Sequence, residues 1–151
     1  MKPVRRLVTL DDTSGKSRAI ADGPVSDVRE DPANPGATSS VIWATDRTPA
    51  RVTTELPPIA PGFAPPPGGS LCRIVTFAPD VPGAPPMRAM RSLDFCLVLE
   101  GEITLVLDLE EVRLKAGDVL VQRGTRHAWR NRSGRPCVVA ISSHDAAAVD
   151  G

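Results

Sequence analysis

The prolines of this chain divide it into strand-sized pieces. Sixteen are present among 151 residues, and most stand in clusters at 57–58, 61, 65–67, 79, 82 and 85–86. Proline has no N–H to donate to a β-ladder, so we expect these clusters at strand edges and in the connections between strands.

The segments between and after these prolines are short apolar runs rich in Val, Leu and Ile. They are bounded by Gly, Asp or Pro, which is typical of strands joined by turns. No helical periodicity of ten or more residues and no internal repeat is present. The pattern predicts an all-β fold built from a closed or sandwiched antiparallel sheet. The runs are 70–77, 93–99, 103–107, 112–114, 119–121, 128–129 and 138–141.

The first 60 residues are less regular. Residues 5–10 and 17–21 are predicted to be two strands across a turn at 11–15, and residues 39–44 a third strand. We expect this region to supply outer strands and long loops that cover a barrel mouth or reach a neighbouring subunit.

Length and charge narrow the possibilities further. A chain of 151 residues suits one structural domain, which we divide into N-terminal strands and loops (1–69) and a barrel (70–151). Lys plus Arg and Asp plus Glu are both 18, without a long basic run, which argues against nucleic-acid binding. No stretch approaches the roughly 20 apolar residues that span a bilayer, and residues 1–7 are charged without an apolar segment behind them. We expect a cytoplasmic protein with no membrane contact.

The three cysteines do not suggest a disulfide framework. Cys72, Cys96 and Cys137 are odd in number, far apart and without CxxC spacing, so neither disulfides nor a thiolate metal site is indicated. Each is expected to be a small buried hydrophobe. Strand alternation places Cys96 on the same face as Asp94, so it is also a candidate pocket residue.

Sixteen residues, 117–132, carry the most specific signal. They are typical of a strand that enters a tight turn and continues as a second strand, with a lone histidine, His127, and Asn131 four residues later. From about residue 70 to 148 the chain resembles a cupin, and residues 121–131 are similar to a bacterial and fungal cupin-2 group. The resemblance implies a double-stranded β-helix, a jelly-roll barrel with an N-terminal strand extension, paired as a homodimer.

The resemblance also implies a pocket that commonly holds one divalent metal. Its ligands are two histidines and a glutamate from a first motif, G-x5-H-x-H-x3,4-E-x6-G, and one histidine from a second, G-x5-P-x-G-x2-H-x3-N. Here Gly101 closes the first motif and Asp94 stands at its acidic position. His127 and Asn131 match the second motif, in which Gln122 replaces the proline.

The two histidine positions of the first motif carry Arg88 and Met90, and the alternative spacing supplies no imidazole either. A transition metal prefers three or four donors, largely imidazole and carboxylate. Arg88 would place a permanent positive charge beside the ion. We therefore expect no cofactor; the alternative is a Zn, Ni, Fe or Mn ion held by Asp94 and His127.

Arg88, Asp94 and His127 are the candidate catalytic residues. An even spacing keeps Arg88 and Asp94 on one strand face, so Arg88 could neutralise Asp94 and hold a ligand oxygen; alternatively, Arg88 points to solvent. His127 is a candidate acid or base. With Arg123 and Arg126 at the mouth, the ligand is expected to be anionic. The other expected pocket residues are Met90, Cys96, Trp129, for which core packing is the alternative, and Asn131.

Two functions from different classes follow. The first is a small-molecule enzyme that uses His127 for proton transfer on an organic acid or a polyketide-like compound. The second is a non-catalytic binding or sensing protein that has lost its metal site. The retained Asp94, His127 and Asn131 favour the first, and the loss of both first-motif histidines favours the second.

Overall fold

The computed structural model describes residues 2–32, 34–54, 62–80, 83 and 86–147. The regular secondary structure of these residues consists of β-strands, so the all-β prediction is confirmed. The described residues contain no helix that is long and apolar enough to cross a membrane. The eleven strands are β1 (Arg5–Asp11), β2 (Ser17–Pro24), β3 (Val28–Glu30), β4 (Ala37–Thr45), β5 (Ser70–Phe77), β6 (Ser92–Glu100), β7 (Glu102–Val106), β8 (Glu111–Lys115), β9 (Val119–Arg123), β10 (Ala128–Arg130) and β11 (Cys137–Asp145).

The strands form a large sheet, a small sheet and a separate hairpin. The large sheet has the order β3-β4-β5-β11-β6-β9, the small sheet the order β10-β7-β8, and β1 pairs with β2. Every pairing is antiparallel. From β6 onward the chain crosses between the large and the small sheet four times, as the predicted jelly-roll barrel requires.

One hydrophobic core is shared by the two sheets. Alternation sends every second side chain of a strand inward, and in β6 this buries Cys96 while Phe95 and Leu97 stay exposed. Ile103 of the small sheet and Val139 of the large sheet belong to the same buried cluster. The inner face of β6 begins with polar residues and continues with apolar ones, so one end of the barrel interior is polar.

The predicted strands correspond to observed ones, and residues 70–77 coincide with β5. The short strand β3 has no counterpart in the sequence prediction, because three residues cannot display an alternation. Both β3 and β4 extend the sheet that contains β5, so this part of residues 1–69 is built into the barrel wall. Of the clustered prolines, Pro57, Pro58, Pro61, Pro82 and Pro85 lie outside the described residues, whereas Pro65, Pro66, Pro67, Pro79 and Pro86 lie in connections.

The outer face of β6 and β9 carries two rows of exposed apolar side chains. Phe95 pairs with Val121 and Leu97 with Val119, and all four are exposed. Apolar surface of this kind is what an outer-strand homodimer would cover. The homodimer stays a prediction.

The turn between β6 and β7 depends on Gly101. Its φ is +76°, a conformation that other residues rarely adopt, and a Cβ added there would lie 2.7 Å from the carbonyl oxygen of Pro136. Gly117 also has a positive φ, of +95°, but a Cβ added there would meet open space. The two motif glycines share a positive φ and differ in the close approach of a second backbone segment, which occurs at Gly101.

Replacing Gly101 by Ala should lower the free energy of unfolding by about 2 kcal/mol or more, because strained φ costs about 1–3 kcal/mol and the Pro136 segment must also move. Gly117→Ala is the matched control and should cost about 1 kcal/mol, the conformational part alone. Urea denaturation of the two variants measures the difference. Equal losses would show that the approach to Pro136 contributes nothing.

Candidate functional site

The polar end of the barrel interior opens into a small pocket, with a cavity volume of about 30 Å³. Strands of both sheets and the segment after β3 contribute to its walls. Its apolar lining includes Phe63, Val75, Phe77, Trp129 and Ile141. Its polar lining includes Asp31, Arg73, Arg88, Asp94, Gln122, His127 and Ser143.

Two backbone hydrogen bonds join the segment before β6 to the segment before β10. The N–H of Arg88 donates to the carbonyl of His127 at 2.8 Å, and the N–H of His127 donates to the carbonyl of Arg88 at 2.9 Å. Position 88, where the first motif would carry its leading histidine, therefore lies directly beside the histidine of the second motif. Arg88, Asp94 and His127 all line this pocket.

His127 is held in one tautomer. Its Nδ1 lies 2.7 Å from the carbonyl oxygen of Thr125, which can only accept, so the neutral ring carries its hydrogen on Nδ1 and its lone pair on Nε2. Burial lowers the pKa of His127 below its ordinary value of 6.5, against the opposing effects of the Thr125 hydrogen bond and the charge of Asp94; Arg88 lowers it further. The imidazole is therefore neutral near pH 7, with Nε2 able to accept a proton.

Arg88 pairs with a different carboxylate from the one expected. Its Nη2 lies 3.8 Å from Oδ2 of Asp31, whose side chain is 6% exposed. Within the described part of the chain no ion pair joins Arg88 to Asp94. The expectation that Arg88 neutralises Asp94 by direct pairing is therefore wrong. The reason is that Asp31 follows β3 in the N-terminal region, outside the motif from which the pairing was inferred. The alternative that Arg88 points to solvent is met only in part, since its side chain lines the pocket and is 36% exposed.

Asp94 is buried in the polar inner surface, with an exposure of 8%. Its cross-strand neighbours are Gln122 on β9 and Ser143 on β11. Its Oδ1 has no hydrogen-bond partner among the residues that the structure describes. A buried polar atom without a partner is costly, so a hydrogen-bond donor brought by a ligand would be favoured at this atom.

Cys96 faces inward two residues after Asp94, as alternation predicts, and is 2% exposed. Burial, assisted by the negative charge of Asp94, raises the pKa of the Cys96 thiol to about 12. The sulfur is therefore protonated near neutral pH, and Cys96 contributes an apolar contact to the pocket rather than a nucleophile.

Arg73 belongs to the site although the motifs do not mark it. Alternation along β5 turns its side chain inward, into the pocket. Its Nη1 donates to Oγ of Ser39 at 3.2 Å, and its guanidinium lies 5.1 Å from the ring centre of Phe63. Its Nε has no partner within the described ranges. Burial lowers the pKa of Arg73, and the charge of Asp94 raises it. An arginine at an inward position of an apolar strand is the sequence signal that could have identified it.

Met90 and Trp129 line the pocket as expected from the motif positions. Trp129 also belongs to the core cluster, with its ring 5.7 Å from that of Phe77 and 6.0 Å from that of His127. The two alternatives for Trp129, a pocket wall and core packing, are therefore both correct. Its side chain lies between the pocket and the core.

Asn131 lies outside the pocket that contains His127. Its amide nitrogen donates to the carbonyls of Phe77 at 3.0 Å and Arg135 at 2.7 Å. Its amide oxygen accepts from the N–H of Ser133 at 3.1 Å and from the Ser133 hydroxyl at 2.7 Å. The predicted pocket role is corrected to a structural one, because three of these bonds hold the turn before β11 and the fourth ties that turn to the end of β5.

A family model described as a cupin domain matches residues 73–143, which include nearly all of β5 to β11. Residues 73–143 form a cupin domain. A solved structure described as a putative ethanolamine utilization protein Q from Salmonella typhimurium has the same cupin fold, with a TM-score of 0.55 and 12% identity over 97% of this chain and 100% of that one.

Curated relatives come from fungi. Phomopsin biosynthesis cluster protein C' of Diaporthe leptostromiformis is 57% identical over 68 residues, which cover 44% of this chain and 35% of that protein. The cupin-domain-containing oxidoreductase fogC of Aspergillus ruber is 33% identical over 137 residues, which cover 87% of this chain and 66% of that protein. The chain thus spans between about a third and about two thirds of the length of these two relatives.

The donor set of this cupin does not fit a tightly bound transition metal. No group of three or more His, Cys, Asp or Glu side chains that could hold an ion occurs in the described ranges. Asp94 and His127 supply one oxygen and one nitrogen donor, and two guanidinium groups line the same pocket. Like charges at 4 Å oppose each other by about 4 kcal/mol at an effective dielectric constant near 20.

The imidazole of His127 should titrate below pH 6.5, because burial disfavours its charged form. In a His144→Gln background a single histidine Hε1 signal remains, and NMR can follow it against pH. Between pH 6.5 and the lowered pKa of the folded protein, His127 is protonated in the unfolded chain but not in the folded one. The free energy of unfolding should therefore decrease as the pH falls through that range. A titration midpoint at or above 6.5 would contradict the buried, neutral arrangement.

Changing Arg88→His and Met90→His together should create a metal site. The variant would place three imidazoles and one carboxylate around the pocket, a set suited to zinc, nickel or iron. Metal should stabilise it by about 2.7 kcal/mol when free ion is a hundredfold above the dissociation constant, and each single variant should gain much less. The control for adventitious binding is Arg123→His with Arg126→His, at the exposed end of β9 and in the turn that follows it. A folded double variant without metal affinity would show that positions 88, 90, 94 and 127 do not converge.

Proposed function

We propose that this cupin is a small-molecule enzyme that transfers a proton on an organic acid or polyketide-like compound, without a tightly bound metal. The observation that carries the proposal is the tautomer of His127. A neutral ring with Nδ1–H bonded to Thr125 has its basic nitrogen, Nε2, free of bonds to the described residues. Cationic side chains that can stabilise a developing oxyanion line the same pocket.

The proposed step is an isomerisation of a carbonyl compound. Nε2 of His127 removes a proton from the carbon next to the carbonyl, and the C–H electron pair moves to form an enolate. Arg88, whose backbone is bonded to that of His127, stabilises the negative charge on the enolate oxygen. The imidazolium then returns the proton, to the same carbon or to a conjugated one. The reaction needs no oxidant or reductant.

Names of the relatives support a role in small-molecule metabolism. One is described as a protein of a phomopsin biosynthesis cluster and another as a cupin-domain-containing oxidoreductase. We propose that this chain, like the relatives, acts on a small molecule. We do not extend their redox chemistry to it, because the donor set of its described residues does not suit a redox metal.

The proposal is tested by deuterium exchange on model ketones that carry a β-hydroxyl. In D2O the wild-type protein should accelerate loss of the proton signals next to the carbonyl, measured by NMR. His127→Gln should reduce this acceleration by about 10² to 10⁴, the usual contribution of a general base. His144→Gln is the matched control, since His144 lies on β11 outside the pocket and should leave exchange unchanged.

The second candidate, a binding or sensing cupin, rests on the loss of both first-motif histidines. It has a distinct outcome in the same experiment. Ketones that bind to the wild-type protein, seen as line broadening, and yet exchange no faster than in buffer would favour the binding protein and count against the enzyme.

A further inference from the structure

Two buried polar atoms in the pocket lack partners. Oδ1 of Asp94 and Nε of Arg73 each have no hydrogen bond to the described residues. Arg73 and Asp94 stand on β5 and β6, the two strands that flank β11, at positions paired with Ile141 and Ser143 of that strand. Alternate residues of β11 face the same side, so both side chains point to one region of the pocket.

The two atoms require opposite hydrogen-bonding roles from a ligand. A carboxylate oxygen accepts only, and a guanidinium N–H donates only. A hydroxyl can donate to one and accept from the other at the same time through a single small group, whereas an amide needs two separate atoms to do so. A methyl ether could accept but not donate, and an ammonium could donate but not accept.

The charges that line the pocket are balanced. Arg73 and Arg88 oppose Asp31 and Asp94, while His127 is neutral near pH 7. A carboxylate ligand would place a third negative charge next to two buried carboxylates, and an ammonium ligand would face the two guanidiniums. In a balanced pocket the repulsion of a charged ligand by the like charges is offset by its attraction to the opposite ones, so little is left to compensate for removing its charge from water. A neutral ligand does not have this desolvation cost.

We propose that the pocket selects a neutral, hydroxyl-bearing apolar compound, whose hydroxyl donates to Oδ1 of Asp94 and accepts from Arg73. The apolar part lies against Phe63, Phe77 and Trp129. This inference rests on the proposed function, whose substrate class it narrows from an organic acid or polyketide-like compound to a neutral carbonyl compound that carries a hydroxyl. It also replaces the anionic ligand expected from the sequence, because Arg88 is paired with Asp31 and the exposed Arg126 with Asp108.

The test compares four probes with one apolar body: 3-phenyl-1-propanol, its methyl ether, 3-phenylpropanoate and 3-phenylpropylammonium. Dissociation constants are measured by NMR titration of the wild-type protein. The alcohol should bind at least about tenfold more tightly than each of the others, since an unsatisfied buried partner costs about 1–3 kcal/mol and 1.4 kcal/mol is tenfold. A carboxylate or ether that binds as tightly as the alcohol, or no binding by any probe at millimolar concentration, would overturn the inference.

Variants assign the preference to the two residues. Asp94→Asn leaves an amide that can donate. The affinities of the ether and the carboxylate, relative to that of the alcohol, should therefore rise by about tenfold. Arg73→Met removes one cation, so the affinity of the ammonium relative to that of the alcohol should rise. Arg113→Met, an exposed arginine on β8, is the matched control and should keep the wild-type order. Should a pocket variant fail to fold, the four wild-type constants still decide the inference.

The outcome is separable from that of the proposed function. An alcohol preference without deuterium exchange would support the inference and contradict the enzyme. Exchange that depends on His127, together with tighter binding of the carboxylate, would support the enzyme and contradict the inference.

Discussion

The pair of backbone hydrogen bonds between Arg88 and His127 is the interaction on which the site depends. It joins two segments that are 39 residues apart in the sequence, one ahead of β6 and the other ahead of β10. β6 belongs to the large sheet and β10 to the small one, so these bonds also tie the two sheets together at the pocket end. The backbone of His127 is thereby held by two bonds that do not involve the side chain of residue 88.

Burial then determines the chemistry of each group around that pair. His127 is neutral because its surroundings disfavour the charged ring, and the Cys96 sulfur is protonated for the same reason. Arg73 and Asp94 carry opposite charges on the two strands that flank β11. Among the described residues no direct ion pair joins them. A pocket whose charges are separated in this way keeps hydrogen-bonding capacity for a ligand, whereas a closed ion pair would use it internally.

The fold could be predicted from the sequence because it depends on local patterns: apolar alternation, proline positions and the glycines of the turns. The placement of Asp94 and His127 in one pocket followed from motif spacing, and that of Cys96 from strand alternation. Asp31 could not be foreseen as the partner of Arg88, since their contact links regions with no local pattern in common. For Asn131 the motif position was matched, but the predicted role was wrong. Its side chain forms hydrogen bonds that hold a turn and does not line the pocket of His127.

The segment that matches the family model does not contain the whole pocket. Asp31 and Phe63 both line it and both lie before residue 73, the first matched position. The strands that close the barrel and the groups that would recognise a ligand are therefore partly separate in the sequence. Asp31 and Phe63 lie in connections rather than in strands, so substitutions at these two positions can alter the charge and shape of the pocket without removing a strand from the barrel wall.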